Sequence, residues 1–122
     1  MVTLLIAEDD DDIRGLIVAT VPDDWHVIEA ADGIAAVALA REHEPDAIIL
    51  DHRMPVLTGA EVCAILAKEP WRQHATIIGL TADTTLEVRR EMSAAGVDAF
   101  LEKPFSPVEL VRLLTTRVRH DA

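Results

Sequence analysis

The stretch IILDHRMPVLTG, residues 48–59, decides the fold. Three apolar residues run into a single carboxylate, Asp51, and a polar loop broken by Pro55 follows. A continuous apolar run this short is typical of a strand covered on both faces, so Asp51 stands at the end of a predicted strand. Asp51 is then either the first solvated residue after the strand, or a nucleophile or metal ligand presented at its tip.

Similar apolar runs recur along the chain and alternate with segments of helical periodicity. The predicted strands are 3–7, 26–30, 46–50, 76–80 and 98–102. The predicted helices are 11–21, 33–43, 59–68, 85–95 and 107–119. Five such units predict an α/β fold in which a mostly parallel sheet has helices on both faces. With 122 residues, we expect one domain over residues 1–122.

Apolar spacing also predicts which helix faces turn toward the core. The inward positions expected on the first two helices are Ile13, Leu16, Ile17, Val21, Ile34, Val37, Ala38 and either Ala40 or Arg41. Helix caps are expected at Asp32, at Ser106 and at Thr84 or Thr85, and Gly96 is expected to end the fourth helix.

Composition excludes several classes of function. The net charge of −11 argues against direct binding to nucleic acid or to an anionic membrane. The chain has one cysteine, Cys63, which rules out an internal disulfide and fits a reducing, cytoplasmic location. Its first residues lack the basic and long apolar segments of a signal peptide or membrane span.

The residues that follow the predicted strands are polar and chemically complementary. In chain order they are Glu8, Asp9, Asp51, Thr81 and Lys103. Ligands of parallel α/β sheets bind outside the carboxyl ends of the strands, where these residues would meet. Three converging carboxylates repel one another, and a hard cation such as Mg²⁺ relieves that repulsion, with the backbone carbonyl of Arg53 as a further candidate ligand.

This set suits an incoming phosphoryl group that a carboxylate attacks. Lys103 would supply a fixed positive charge and Thr81 a hydroxyl donor. Each residue alone has an ordinary interpretation, such as a strand-end threonine or a Lys-Pro turn, and the acidic run 10–12 reads as a helix N-terminus. The coincidence at all the strand tips favours a functional site.

With these residues in place, the chain resembles the CheY-like receiver domain of two-component response regulators. The matching stretches are LLIAEDDDDIR (4–14), IILDHRMPVLTG (48–59), IIGLTAD (77–83) and AGVDAFLEKPFSPVEL (95–110). They occur in the family's order and cover essentially the whole chain. The resemblance implies a doubly wound, flavodoxin-like sheet with strand order 2-1-3-4-5.

The resemblance also implies a role for each site residue. Asp51 would be the phosphoacceptor, Thr81 the switch hydroxyl and Lys103 the partner of the phosphoryl oxygens. Mg²⁺, or Mn²⁺ in its place, would be held by a ligand set of Glu8, Asp9, Asp51 and the Arg53 carbonyl. Phe100 matches the switch aromatic, and the loop of Met54, Pro55 and Gly59 matches the one that shapes the exit of the acceptor strand.

The function implied is that of a signalling phosphoacceptor, which catalyses no reaction beyond its own phosphorylation and dephosphorylation. The phosphoryl donor would be a phosphohistidine on a sensor histidine kinase or phosphotransfer protein, or a small acyl phosphate. Phosphorylation would remodel the face of helix four, strand five and helix five toward a downstream protein target or effector domain.

Four positions leave alternatives open. Phe100 replaces the commoner tyrosine and is either a switch aromatic or a plain core residue. Arg53 and Asp83 occupy the two positions that tune hydrolysis in the family, and they either pair across the site or are separately solvated. His52 would be a proton shuttle or ligand, but strand alternation predicts that it faces away from Asp51.

Two rival functions are weighed against this interpretation. An aspartyl phosphohydrolase would carry a second aspartate where this chain has Arg53. A degenerate receiver that only binds proteins has no need of the intact acidic, threonine and lysine set.

The residues that would mediate dimerisation match the family only in part. Arg89 and Glu109 match one ion pair of regulator dimers, whereas Ala99 and Leu113 break another. A monomer or a weak, phosphorylation-dependent dimer is therefore expected. A single-domain receiver and a part of a longer regulator or hybrid kinase are both open.

Overall fold

Each apolar run of the sequence forms a strand of one parallel sheet, which confirms the predicted α/β class. The computed structural model describes residues 1–118. The strands are β1 (Thr3–Ala7), β2 (His26–Ala30), β3 (Ala47–Asp51), β4 (Thr76–Thr81) and β5 (Ala99–Glu102). The helices are α1 (Asp11–Thr20), α2 (Gly33–His43), α3 (Gly59–Leu66), α4 (Leu86–Ala95) and α5 (Pro107–Arg117). A short 3₁₀ helix, Pro70–His74, was not predicted, and residue 119 of the last predicted helix lies outside the described residues.

The strand order is β2-β1-β3-β4-β5, as the resemblance implied. In the register, Ala7 lies opposite Leu50, Asp51 opposite Leu80, and Thr81 opposite Glu102. The polar residues at the carboxyl ends of these strands therefore lie together, at one end of the parallel sheet.

Strand alternation divides the core into two layers. On one face, Leu4, Ile6 and Ile49 pack with Ile17 of α1 and Leu110 of α5. On the other face, apolar side chains of β1, β3 and β4 pack with α2, α3 and α4, and include Leu5, Ile48, Leu50, Ile77, Val37, Cys63 and Met92. Both sheet faces are thus covered, apart from exposed side chains on the two edge strands, which are His26 and Glu29 on β2 and Glu102 on β5.

Two predicted helix faces are wrong in part. Leu16 and Ile34 are 43% and 58% exposed, and Ala38 is exposed as well. The buried face of α2 consists of small residues and one valine, namely Gly33, Ala36, Val37 and Ala40. A Cβ on Gly33 would lie 2.5 Å from the Cβ of Leu57, so α2 approaches the β3–α3 loop too closely for a larger inward residue.

The helix termini follow the expected chemistry. The side chains of Asp10, Asp32, Thr85 and Ser106 accept backbone N–H groups in the first turns of α1, α2, α4 and α5. Thr85 rather than Thr84 is therefore the cap of α4. Gly96 ends that helix at φ 111°, a left-handed conformation that glycine adopts without strain.

Candidate functional site

The predicted site residues line one open cleft of about 660 Å³ at the carboxyl edge of the sheet. Its lining includes Glu8, Asp9, Asp51, Arg53, Thr81, Asp83 and Lys103. These residues come from four separate segments of the chain, and the sequence predicted that they would meet. Phe100 lies on β5 outside this lining.

Two buried carboxylates and one ammonium form the floor of the cleft. Glu8 is 1% exposed and Asp51 is 5% exposed. Lys103 Nζ lies 2.8 Å from Glu8 Oε2 and 3.1 Å from Asp51 Oδ1. Lys103 reaches this point from the residue after β5, and its peptide bond to Pro104 is cis.

Burial and the neighbouring opposite charge have opposing effects on the pKa values of Glu8 and Lys103. Burial is the main cause that raises the pKa of Glu8 above 4.5, and the nearby charge of Asp51 adds to it, while Lys103 opposes both. Burial alone would lower the pKa of Lys103, but its contacts with Glu8 and Asp51 outweigh burial and raise that pKa above 10.5. Lys103 therefore stays cationic and stabilises a pair of carboxylates that would otherwise repel.

A third carboxylate completes a group able to hold a metal ion. One carboxylate oxygen each of Glu8, Asp9 and Asp51 lies within 4.8 Å of the others, and Asp9 is exposed to solvent. Mg²⁺ binds oxygen ligands at about 2.0–2.1 Å and keeps several waters, so ligands that share one ion lie about 3–4 Å apart. Buried and exposed carboxylates at this spacing fit a partly hydrated Mg²⁺ or Mn²⁺.

The threonine at the end of β4 hydrogen-bonds within its own loop. The Thr81 hydroxyl donates to the backbone carbonyl of Asp83 at 2.8 Å and accepts from the Asp83 N–H at 2.9 Å. The Asp83 carboxylate in turn accepts from the Thr85 N–H at 3.0 Å. The β4–α4 loop is therefore closed by two consecutive local turns that lead into α4.

Charged residues stand on both sides of the cleft entrance. Arg53 is exposed on the β3–α3 loop and Asp83 is half-buried on the β4–α4 loop. Hydrogen bonds from Thr85 are the main cause that lowers the pKa of Asp83, and the charge of Arg53 contributes. Within residues 1–118, no contact of 4.0 Å or less joins these two side chains, so they interact across the cleft without a direct ion pair.

His52 also lines the cleft, although its ring is not among the clustered ligand atoms of the described residues. Its Nδ1 is buried without a hydrogen-bond partner in residues 1–118. Strand alternation still predicts that its ring faces away from Asp51.

Phe100 is half-buried on β5, beneath a charged residue of α4. The guanidinium of Arg89 lies 5.7 Å from the centroid of the Phe100 ring, which is a cation–π contact. Phe100 also packs against the core layer under α2, α3 and α4. Its position satisfies the core interpretation and leaves the switch interpretation as a prediction.

The β3–α3 loop is held tightly against the end of β3. The Gly59 N–H donates to the His52 carbonyl at 2.9 Å. A Cβ on Gly59 would lie 2.4 Å from the Asp51 carbonyl oxygen, which leaves no room for a side chain. Glycine at this position therefore allows the first turn of α3 to close on the residue that carries the candidate nucleophile.

Sequence reasoning missed Arg14, which contacts the segment that carries the acidic residues. Its Nη1 donates to the Glu8 backbone carbonyl at 2.8 Å, and its side chain is 17% exposed. The one sequence signal was a charged residue directly after Ile13, on the side of α1 expected to face the core.

The comparisons with known proteins agree with this geometry. A model of the response regulator receiver domain matches residues 4–115. The high-resolution structure of the chemotaxis response regulator CheY4 of Vibrio cholerae is 34% identical with a TM-score of 0.89, over 95% of this chain and 98% of that one. The probable transcriptional regulatory protein TcrX of Mycobacterium tuberculosis is 32% identical over 97% of this chain and 50% of its own length. Histidine kinase P4 of Formosa agariphila is 31% identical over 98% of this chain and 9% of its own length.

The chain belongs to the response regulator receiver domain family of two-component signalling. It spans half of the transcriptional regulator and a small part of the histidine kinase that it matches. Within residues 1–118, no helix is both long and apolar enough to cross a membrane.

Proposed function

We propose that this receiver accepts a phosphoryl group on Asp51 from a phosphohistidine of a partner kinase or phosphotransfer protein. The observation that carries the proposal is the buried Asp51 carboxylate, 3.1 Å from Lys103 and grouped with two further carboxylates. An Asp51 oxygen forms a bond to phosphorus, the phosphorus–nitrogen bond breaks, and its electron pair stays on the imidazole, which takes up a proton. Water later attacks the acyl phosphate and releases inorganic phosphate.

The other residues of the cleft have separate roles in this proposal. Glu8, Asp9, Asp51 and the Arg53 carbonyl hold Mg²⁺ or Mn²⁺, which supplies charge stabilisation for the phosphoryl oxygens. Lys103 is a fixed cation beside the acceptor, because its ammonium is held between Glu8 and Asp51. Thr81 and Phe100 transmit the change to the face of α4, β5 and α5.

The proposed partners follow from this role. They are a sensor histidine kinase or phosphotransfer protein on the input side, and a protein target or effector domain on the output side. The net charge of −11 supports a domain that does not itself bind nucleic acid or membranes. A buried, unpaired Cys63 suits a cytoplasmic setting, and we propose a monomer or a weak dimer that forms on phosphorylation.

The two charged residues at the entrance have a tuning role in this proposal. Arg53 and Asp83 lie on opposite loops of the cleft, and the charge of Arg53 reaches Asp83. Together they restrict the approach of water to the acyl phosphate and slow its hydrolysis.

The test is intact-mass measurement after incubation with acetyl phosphate and Mg²⁺. The parent and Asp12→Asn, which changes an exposed carboxylate of α1, should both gain one phosphoryl group. Asp51→Asn and an EDTA-treated parent should not. A gain that persists in Asp51→Asn would exclude Asp51 as the acceptor.

A second candidate function is a phosphorylation-independent binding module. The Thr81 hydroxyl, which is bound within its own loop, is compatible with it. An absence of any gain from acetyl phosphate and from a phosphorylated histidine protein would favour this module.

A further inference from the structure

One arginine joins three elements at the edge of the candidate metal site. Arg14 is the fourth residue of α1. Its guanidinium donates hydrogen bonds in three directions. Nη1 reaches the Glu8 carbonyl at the end of β1, Nε reaches Glu29 of β2 at 3.1 Å, and Nη2 reaches Asp11 of α1. A planar guanidinium with fixed donor directions suits such a three-way junction better than any other side chain.

The segment that Arg14 contacts carries two of the three clustered carboxylates. Residues 8–10 form the whole connection between β1 and α1, and Glu8 and Asp9 both lie in it. The backbone is otherwise tied by the Glu8 N–H, which donates to Ala30, and by the Asp10 N–H, which donates to the Glu8 side chain. Arg14 fixes the Glu8 carbonyl, and with it the peptide plane from which the Asp9 side chain is presented.

We propose that Arg14 is a positioning residue for the divalent cation: it holds the Glu8–Asp9 peptide so that both carboxylates face the same ion. This inference rests on the proposed function, because it assigns a role toward the metal that the phosphoryl chemistry uses. Arg14 does not itself touch the ion. Its effect passes through the backbone, as with other residues that orient the ligands of a metal.

Electrostatics makes the sign of the effect diagnostic. Arg14 is a cation close to a cation site, so removal of its charge alone would tighten Mg²⁺ binding. Loss of the positioning contact would weaken binding instead. If Arg14 only formed surface ion pairs with Asp11 and Glu29, its replacement by an uncharged residue would leave the Mg²⁺ affinity equal or higher.

The experiment is calorimetric Mg²⁺ titration of the purified chain and three variants. Arg14→Met removes the guanidinium and keeps an apolar stem, and Arg14→Lys keeps the charge without the planar fork. Arg41→Met is the matched control, because Arg41 pairs with Glu69 on the surface and its loss changes the net charge equally. We expect Kd to rise about tenfold in Arg14→Met and less in Arg14→Lys, as for loss of a residue that orients a metal ligand.

A second readout separates positioning from a general loss of structure. The Mg²⁺ concentration that half-saturates acetyl phosphate labelling should rise in Arg14→Met, while the rate at saturating Mg²⁺ stays close to that of the parent. A merely destabilised protein would show a lower fraction of active molecules with an unchanged Kd. Glu29→Gln, which keeps Arg14 and removes the charge of one of its hydrogen-bond partners, should weaken binding by a smaller factor.

The outcomes distinguish this inference from the proposed function. If the parent binds Mg²⁺ and Arg14→Met binds equally or more tightly, the positioning role is overturned while the proposed function stands. If Arg14→Met does not fold, an unchanged Kd in both Arg14→Lys and Glu29→Gln overturns it. A parent that binds no Mg²⁺ overturns the proposed metal chemistry, and the inference with it.

Discussion

Val56 holds a backbone conformation that valine rarely adopts. Its φ is 74°, and the Leu57 N–H donates to the Pro55 carbonyl at 2.9 Å, which closes a three-residue turn around it. A β-branched residue in the left-handed region costs of the order of 1–3 kcal/mol. The Val56 side chain is 70% exposed, so burial recovers little of that cost.

Val56→Gly should therefore stabilise the protein. We expect the free energy of unfolding to rise by about 1 kcal/mol, because glycine tolerates positive φ but loses more conformational entropy on folding. Urea denaturation at equilibrium measures it. Val108→Gly is the control, since Val108 is similarly exposed at 67% but lies in the first turn of α5, where glycine should destabilise. Equal losses in both variants would contradict the strain at Val56.

At this scale the sequence predicted which side chains meet in the cleft better than it predicted the residues that support them. Their meeting was predictable because Glu8, Asp51 and Thr81 directly follow apolar runs and Lys103 is the first residue after the last predicted strand, and parallel strands bring such residues together. Arg14 was not, because its role depends on a backbone carbonyl, which carries no sequence signal. The positive φ of Val56 was not predictable either, because the turn around it is closed by a hydrogen bond between backbone groups.

At the scale of elements, the β3–α3 and β4–α4 loops form the two sides of the cleft entrance. The first is fixed by Gly59 against the Asp51 carbonyl, and the second by the Thr81 and Thr85 turns. The opposite charges of Arg53 and Asp83 are therefore carried on two anchored loops rather than on free segments.

Arg53→Ala should shorten the lifetime of the phosphorylated protein. Charges that interact through solvent without direct contact have modest effects, so we expect hydrolysis to accelerate only about two- to fivefold. Loss of the phosphoryl group is followed by intact mass after removal of the donor. Arg41→Ala controls for net charge, and Asp83→Ala should act in the same direction. An unchanged rate in Arg53→Ala would contradict the tuning role.

The sequence predicted the existence of every strand and of the five main helices, but not all their faces. Periodicity reports which residues are apolar, whereas the inward face of α2 is decided by the close approach of Gly33 to Leu57. Ile34 was therefore expected in the core and is exposed, although it is larger and more apolar than the alanines that are buried.

At the scale of the whole molecule, the buried carboxylate of Glu8 couples stability to pH. Burial raises its pKa in the folded chain above 4.5. A carboxyl group whose pKa is raised by folding destabilises the folded state when it is ionised. This destabilisation disappears as the pH falls through the folded-state pKa. Removal of the carboxyl should therefore matter more at neutral pH than in mild acid.

In EDTA, we expect the parent to gain stability relative to Glu8→Gln as the pH falls from neutral through the folded-state pKa of Glu8, because the folded parent then binds a proton that the variant cannot bind. Urea denaturation at each pH gives the difference in the free energy of unfolding. Glu91→Gln, at an exposed position of α4, is the control for net charge. A difference between parent and Glu8→Gln that is constant with pH, or that changes with the opposite sign, would contradict the effect of burial.

The Thr81 hydroxyl has a single proton, and the Asp83 carbonyl receives it at 2.8 Å. A group on Asp51 that recruits the same proton must take it from Asp83, so the two bonds are alternatives and never coexist. In the loop before α4, the Thr81 hydroxyl can therefore donate either to the Asp83 carbonyl or to a group on Asp51, but not to both. A bond from the Thr81 hydroxyl toward Asp51 would leave the Asp83 carbonyl without this donor, in the loop that leads into α4.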